Sequence, residues 1–466
     1  MNALNVSDDE LRSLTERVTA MAAAFLSELP DLRTFPDLSS REALDRLAGP
    51  LPEHGLGAQA LQGLEDVLSM CRPPSPRFWG YVLGSNEPVA ALADLLVSVL
   101  NQNVTAWRSS PAGVTVERQV VQWIATAIGC PTHTGSLCGG GSAANLMGLA
   151  IAREALLPAN ESGARPGIVY ASAEAHMSIA KSMALLGLGR RQLRSIPTDS
   201  RFRLDTRQLE QAIAADLAAG NRPLAVVATA GTVNTGAIDP LQEIAAICAR
   251  HVIWLHVDGA YGALAALAVP EKFRGLELAD SLSLDAHKWL YQPLDCGMLL
   301  YRNRAAAQTA FSFTAEYART FASNPLEGFA FFEESLELSR RFRALKLWLS
   351  LRYHGLQAFR AAIRSDLQHA QDLAQTVRGT PALELLAPVE LSTVCFRYRP
   401  APGTAVLNEL NAQLLQQVIE RGRVYLSNAS INGQFALRAC FVNHRTSDAD
   451  VATIVPEVLA AAGTAG

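Results

Sequence analysis

The sequence contains no two cysteines close enough to make a CxxC pair. Its seven cysteines (Cys71, Cys130, Cys138, Cys248, Cys296, Cys395 and Cys440) are scattered and odd in number, so neither a disulfide framework nor a structural zinc site is expected, and no metal. It also lacks a charge excess. Forty basic and 44 acidic residues leave a net charge of −4 with no long run of either sign, so no nucleic-acid or membrane partner is expected. Long apolar runs are missing too: Ala90 to Leu100 is broken by Asp94 and is too short to span a bilayer. Asp8, Asp9, Glu10 and Glu16 rule against a signal peptide near the start, and a cytoplasmic location is expected. What remains is a near-neutral chain, 49% hydrophobic, able to bury a large core in two or three parts. Such a chain suits a small-metabolite enzyme or binding protein.

Residues 7 to 70 read as helical. Ser7 followed by Asp8, Asp9 and Glu10 starts a helix, and Leu11, Leu14, Val18, Met21 and Phe25 keep helical spacing. The run Arg72-Pro73-Pro74-Ser75-Pro76 breaks the pattern. Beyond it, short apolar runs alternate with longer helical patterns. The runs are Gly167 to Ala171, Leu224 to Thr229 and Val252 to Val257. Continuous apolar strands separated by helices indicate an α/β fold with a mostly parallel sheet covered on both faces, and such sheets bind ligands at the carboxyl ends of their strands. Thr229, Asp258 and Lys288 fall at or just past such ends. A further region begins within a helix expected over Ser339 to Tyr353. It holds apparent strands at Leu391 to Arg399 and Phe435 to Val442.

The segment SLSLDAHKWLYQPLDCGMLLYRN sets Lys288 between two strand-like runs. Burial at low dielectric favours the neutral amine, which makes such a lysine a candidate Schiff-base former. A lysine that pairs with Asp285 is the plainer reading. Three other stretches bear on the choice. Cys138-Gly139-Gly140-Gly141-Ser142 leads into a helical pattern and suits a phosphate: glycines allow close approach, and a helix N-terminus offers free N–H groups. Read alone, it is only a turn. Asp258 ends a buried strand and needs a cationic partner, such as a protonated pyridine nitrogen, unless it caps the next segment. His176 could stack on a flat ring, or be a satisfied polar residue. Together these parts would hold pyridoxal 5'-phosphate (PLP).

The motifs GGGSAAN (139–145), AEAH (173–176), VATAGTVNTGAID (227–239), WLHVDGAYG (254–262), DAHKWL (285–290), SRRFRALKLW (339–348) and SINGQFALR (430–438) resemble those of the PLP-dependent group II amino-acid decarboxylases, most of all the aromatic-L-amino-acid branch. The resemblance runs from about Pro76 to Arg445. It implies the PLP-dependent transferase fold (fold type I, aspartate-aminotransferase-like): a mostly parallel seven-stranded sheet flanked by helices, a smaller C-terminal α+β domain and an N-terminal helical segment. The implied division is a dimer-forming segment over 1–88, a large PLP-binding domain over 89–345 and a small domain over 346–466. A homodimer with sites at its interface is implied as well. By position, Lys288 carries the cofactor as a Schiff base, Asp258 pairs with the pyridine nitrogen and His176 stacks on the ring. Gly140, Gly141 and Ser142 hold the phosphate with Asp285 and His287 nearby, while Thr229 and Ala260 line the cofactor's edge and other face. Tyr81 resembles a substrate-pocket aromatic, with Phe78 and Trp79 beside it. The implied reaction turns an L-amino acid, aromatic in this branch, into its amine and carbon dioxide.

The chain departs from the family pattern at several positions. Decarboxylases of the family carry a proton-donating tyrosine eight residues before the residue opening the SRRFR motif. Here that position is Phe331, as in members that resemble aldehyde synthases, which consume oxygen and release ammonia. Tyr317 is an alternative donor. Ala143 stands where a glutamate is frequent. Asn103 and Thr105 stand where the aromatic branch tends to have apolar groups from the partner subunit. Ser339 resembles the residue of plant relatives that prefer phenolic substrates. The expectation is therefore decarboxylation first and aldehyde synthesis second. A non-catalytic PLP-fold binding protein is the reading from another class.

Overall fold

The computed structural model describes residues 4–313, 326–400 and 406–463. Seven strands form the main sheet: β1 (Thr134–Cys138), β2 (Ile168–Ser172), β3 (Leu193–Ile196), β4 (Pro223–Thr229), β5 (Trp254–Asp258), β6 (Ser281–Asp285) and β7 (Gly297–Tyr301). Their order is β1-β7-β6-β5-β4-β2-β3. All neighbours pair in parallel except β7, which runs antiparallel to both β1 and β6.

The continuous apolar strands are covered on both faces, as their composition requires. Along β4, Val226 and Ala228 point into one core and Ala225 and Val227 into another. The first core is closed by residues such as Val120 and Ile124 of the helix Pro111–Ala127. The second is closed by Met147 and Ile151 of the helix Gly141–Leu156 and by Ile179 and Met183 of the helix Met177–Leu185.

A second, four-stranded sheet has the order β10-β11-β9-β8, from β8 (Leu383–Leu385), β9 (Thr393–Tyr398), β10 (Ser427–Ile431) and β11 (Gln434–Cys440). Its core gathers Phe396, Leu414, Val418, Leu437, Phe441 and Ile454, and takes in Trp79 from far upstream. The Trp79 Nε1–H donates to Thr446 Oγ1 at 3.1 Å.

The helix expected over Ser339 to Tyr353 starts later, at Ala344, and runs on to Arg378 with a break at Gly355 (φ 72°). Residues 339–343 stay non-helical because their backbone is engaged elsewhere. Arg340 N–H donates to Asn103 Oδ1 at 2.8 Å, and Val104 N–H donates to Arg340 O at 2.8 Å. The start of the long helix packs in the main core through Ala344 and Leu347. Its end packs in the second core through Ala370, Leu373 and Val377. At the N-terminus, Ser7 caps the helix Asp8–Glu28 by accepting from Glu10 N–H, and three acids fill the first turn.

Candidate active site

Strand register brings the chemistry together. Thr229 at the end of β4 lies beside Asp258 at the end of β5, which pairs with Ser283 of β6. Asp285, closing β6, pairs with Gly297, and Gly297 in turn pairs with Cys138 of β1. A single cavity of about 540 Å³ opens over these ends.

Lys288 lies on the one-turn helix Ala286–Trp289 that follows β6. Its Nζ is 3.0 Å from Asp285 Oδ2. His287 Nδ1 accepts from Cys296 N–H at 3.2 Å, so its proton resides on Nε2, 3.5 Å from the same Asp285 oxygen. Burial holds the His287 imidazole below the usual histidine range, against the opposing pull of Asp285.

Asp258 is buried with no cationic side chain paired to it among the described residues. It accepts from Asn145 Nδ2 at 2.9 Å, Ser283 Oγ at 3.1 Å and Ala260 N–H at 3.2 Å. His176 caps the helix Met177–Leu185, its Nδ1 meeting Ser178 Oγ at 2.9 Å and Ser178 N–H at 3.3 Å. Burial lowers the His176 pKa, with Asp258 pulling the other way.

The glycine loop is shaped for an anion. Gly140 adopts φ 126°, a backbone that a side chain would strain. A Cβ on Gly141 would lie 2.6 Å from Ala260 Cβ. The helix Gly141–Leu156 begins here with no side chain capping it, so its N-terminal N–H groups are left for a ligand. Two buried polar atoms at the cavity, Thr229 Oγ1 and Asp285 Oδ1, have no hydrogen-bond partner among the described residues. A phosphate cradle, an unpaired carboxylate, a stacking imidazole and a reachable amine in one cavity fit PLP.

Of the residues expected from sequence, Tyr81, Gly140, Gly141, Ser142, His176, Thr229, Asp258, Ala260, Asp285, His287 and Lys288 all line this cavity. The others do not. Trp79 is fully buried in the second core. Phe78 stacks on Tyr425 with ring centroids 4.5 Å apart, under the Arg72 guanidinium. Asn103, Thr105, Phe331 and Ser339 gather at another place. Phe331 N–H donates to Thr105 O at 2.8 Å, and Asn103 meets the residue after Ser339. Ser339 and Asn103 are exposed there, whereas Phe331 is fully buried beneath Arg340. Tyr317 lies outside the described residues.

Sequence reasoning missed Asn145, Ser178 and Ser283, whose hydrogen bonds hold the expected residues in place. It also missed Arg438, a cavity residue that is 3% exposed. Arg438 donates to Ser427 Oγ at 3.0 Å and Tyr81 O at 3.3 Å, pairs with no acid among the described residues, and leaves Nε unpartnered. A cation on the otherwise apolar stretch Phe435 to Val442 was the available signal.

The Pyridoxal-dependent decarboxylase conserved domain matches residues 61–399. The chain belongs to this family. Along 98% of its length it is 33% identical to an aromatic-L-amino-acid decarboxylase of Bacillus atrophaeus, covering 97% of that protein. A crystal structure of Oryza sativa TDC with PLP and tryptamine superposes with a TM-score of 0.94 at 27% identity, over 100% of this chain and 99% of that one. A 4-hydroxyphenylacetaldehyde synthase of Rhodiola rosea superposes with a TM-score of 0.89 at 28% identity, over 98% and 99%. This family member is a PLP-dependent amino-acid decarboxylase of the fold type I architecture. Among the described residues no helix is long and apolar enough to cross a membrane.

Proposed function

We propose that this decarboxylase acts on an aromatic L-amino acid and releases its amine and carbon dioxide. The observation that carries the reading is the single cavity joining Lys288, Asp258, His176 and the uncapped helix N-terminus to the acid-free Arg438. The aromatic side chain is supported by the likeness to the Bacillus atrophaeus enzyme along nearly the whole chain.

PLP bound here supplies a ring that accepts the electron pair freed when the Cα–carboxylate bond breaks. The N-terminal N–H groups of the helix Gly141–Leu156 and Ser142 would hold its phosphate. Lys288 would supply the amine that anchors its aldehyde, with Asp285 holding that amine in place. Asp258 would pair with the pyridine nitrogen, and His176 would stack on the ring. Arg438 would take the substrate carboxylate, since a planar guanidinium matches that group and no acid among the described residues pairs with it.

A second copy of the chain completes the site in this reading. Asn103 and Ser339 are exposed outside their own chain's cavity, as groups offered to a partner would be. A cytoplasmic location agrees with seven free cysteines, six of them buried. The likeness to the Rhodiola rosea enzyme supports a second reading, in which oxygen and water are consumed and aldehyde, carbon dioxide, ammonia and peroxide are released.

The test is turnover of the PLP-loaded enzyme under air with L-tyrosine, L-tryptophan, L-phenylalanine and L-glutamate. Amine equal to carbon dioxide, without peroxide, is expected from an aromatic substrate. Peroxide with aldehyde would select the second reading. No carbon dioxide from any aromatic substrate would overturn both.

A further inference from the structure

A line of buried hydrogen bonds runs from the centre of the sheet to both cofactor-facing groups. Trp254 Nε1 and His256 Nδ1 each lie 2.8 Å from Ser281 Oγ. His256 Nε2 lies 2.9 Å from Asn145 Oδ1. Asn145 Nδ2 is 2.9 Å from both Asp258 Oδ2 and Ser178 Oγ, and Ser178 Oγ is 2.9 Å from His176 Nδ1. His256, Asn145, Ser281 and Ser178 are each at most 1% exposed, so water does not complete these contacts.

The direction of the protons in this line follows from its Asp258 end. The Asp258 carboxylate only accepts, so Asn145 turns its NH2 group toward it and its oxygen toward His256. His256 must then carry its proton on Nε2 and accept at Nδ1. At the other end the Trp254 indole only donates, so Ser281 accepts from it and keeps its own proton for His256 Nδ1, consistent with that polarity. The second Asn145 N–H goes to Ser178 Oγ, whose own proton goes to His176 Nδ1. The Ser178 backbone N–H points at that same nitrogen, which leaves the His176 proton on Nε2.

The helix is built around this imidazole. A Cβ on Gly148, one turn past Asn145 on the helix Gly141–Leu156, would sit 2.5 Å from His256 Cε1. Burial also holds His256 neutral, down to about 4, against the pull of Asp258.

We propose that Asn145 is a positioning residue: oriented by His256, it holds the Asp258 carboxylate and supports the Ser178 hydroxyl that meets His176 Nδ1. The proposal rests on the roles given above to Asp258 and His176. It separates two jobs of the GGGSAAN segment, whose start faces the phosphate and whose asparagine faces the far end of the cofactor.

The test measures PLP affinity by titrating PLP into stripped full-length protein and reading the visible band, alongside nitrogen-15 histidine spectra of the loaded protein. His176 signals are assigned by their loss in His176→Gln. Wild type should show His176 protonated at Nε2. Asn145→Leu should weaken PLP binding by roughly tenfold to a hundredfold, the range for a lost hydrogen bond to a charged group, and should shift the His176 Nδ1 signal while the Ser178 backbone N–H keeps the proton on Nε2. His256→Leu should act in the same direction, and so should Gly148→Ala, which touches no cofactor atom. His256→Gln returns an N–H to Asn145 and should restore PLP binding to within about threefold of wild type, less than one hydrogen bond's worth. Asn145→Leu with unchanged affinity would overturn the proposal, as would His256→Gln no better than His256→Leu. The two His256 variants decide the matter if Asn145→Leu fails to fold. A visible band surviving in Lys288→Ala would instead overturn the site assignment itself.

Discussion

The Arg340 guanidinium lies 4.2 Å from the centroid of the Phe331 ring, and both side chains are buried. Arg340 also donates to Val104 O at 2.6 Å and Leu137 O at 2.8 Å, and pairs with buried Glu117. Phe329 meets the Phe331 ring edge-on, with centroids 4.8 Å apart. Phe331 is thus a packing residue between Arg340 of the SRRFR motif and the main core.

Phe331→Tyr therefore has a structural outcome. It places a phenol hydroxyl in a fully packed site, with an expected cost of about 1–3 kcal/mol in chemical denaturation. The ratio of amine to aldehyde should stay as in wild type. A shift of products toward amine would show that residue 331 reaches the cofactor after all.

Lys288→Ala removes the amine beside Asp285. The variant incubated with PLP should lack the yellow colour of wild type, and its turnover should fall by several orders of magnitude. Unchanged visible absorbance would refute the assignment of Lys288.

Arg438→Gln keeps hydrogen-bonding capacity but removes the charge. KM for the amino acid should rise roughly tenfold to a hundredfold, while PLP affinity should stay within about threefold, because one charged hydrogen bond is lost to substrate and none to cofactor. A loss of PLP affinity with KM unchanged would place Arg438 on the cofactor instead.

Asp366 gives a pH signature away from the cavity. Its carboxyl is pushed up to about 7 by burial, although Tyr291 O–H and Asn443 N–H both oppose the shift. The folded chain therefore holds this proton more tightly than the unfolded chain. The resulting stability is fully present below the ordinary carboxyl value and is lost as pH rises through about 7. Asp366→Asn, which never ionises, should gain on wild type by about 1 kcal/mol between pH 6 and pH 8. His256 and His444, both held near 4 by burial, act in the opposite sense. Their contribution is present above the ordinary histidine value and is lost as pH falls through about 4. Urea titrations of both proteins at several pH values check the difference, and parallel curves would refute it.

Much of the cavity wall was legible because its residues stand at the ends of strands that are mostly apolar. β4 and β5 are buried on both faces and read as unbroken runs. Four strands were not legible. β1 is Thr-Gly-Ser-Leu-Cys, β3 is a four-residue edge strand, β8 has only three residues, and β10 alternates buried and exposed positions. None of them carries the continuous apolar run by which most of the others were found. Residue 331 was misleading for another reason. Counting along the chain gives a position opposite a family residue but not a direction, and here Thr105 and Arg340 turn that side chain inward. Asn145 sat in plain view inside a quoted motif, but an asparagine carries no mark of its partners until the strand behind it brings in a histidine.

The hydrogen bond from Trp79 to Thr446 spans 367 positions. During synthesis the indole leaves the ribosome long before its acceptor exists. The smaller sheet cannot seal until almost all of the chain is available, which makes its closure a late event of the kind that long-separation contacts slow. Shortening either end past these two residues would therefore expose one apolar surface, shared by both ends.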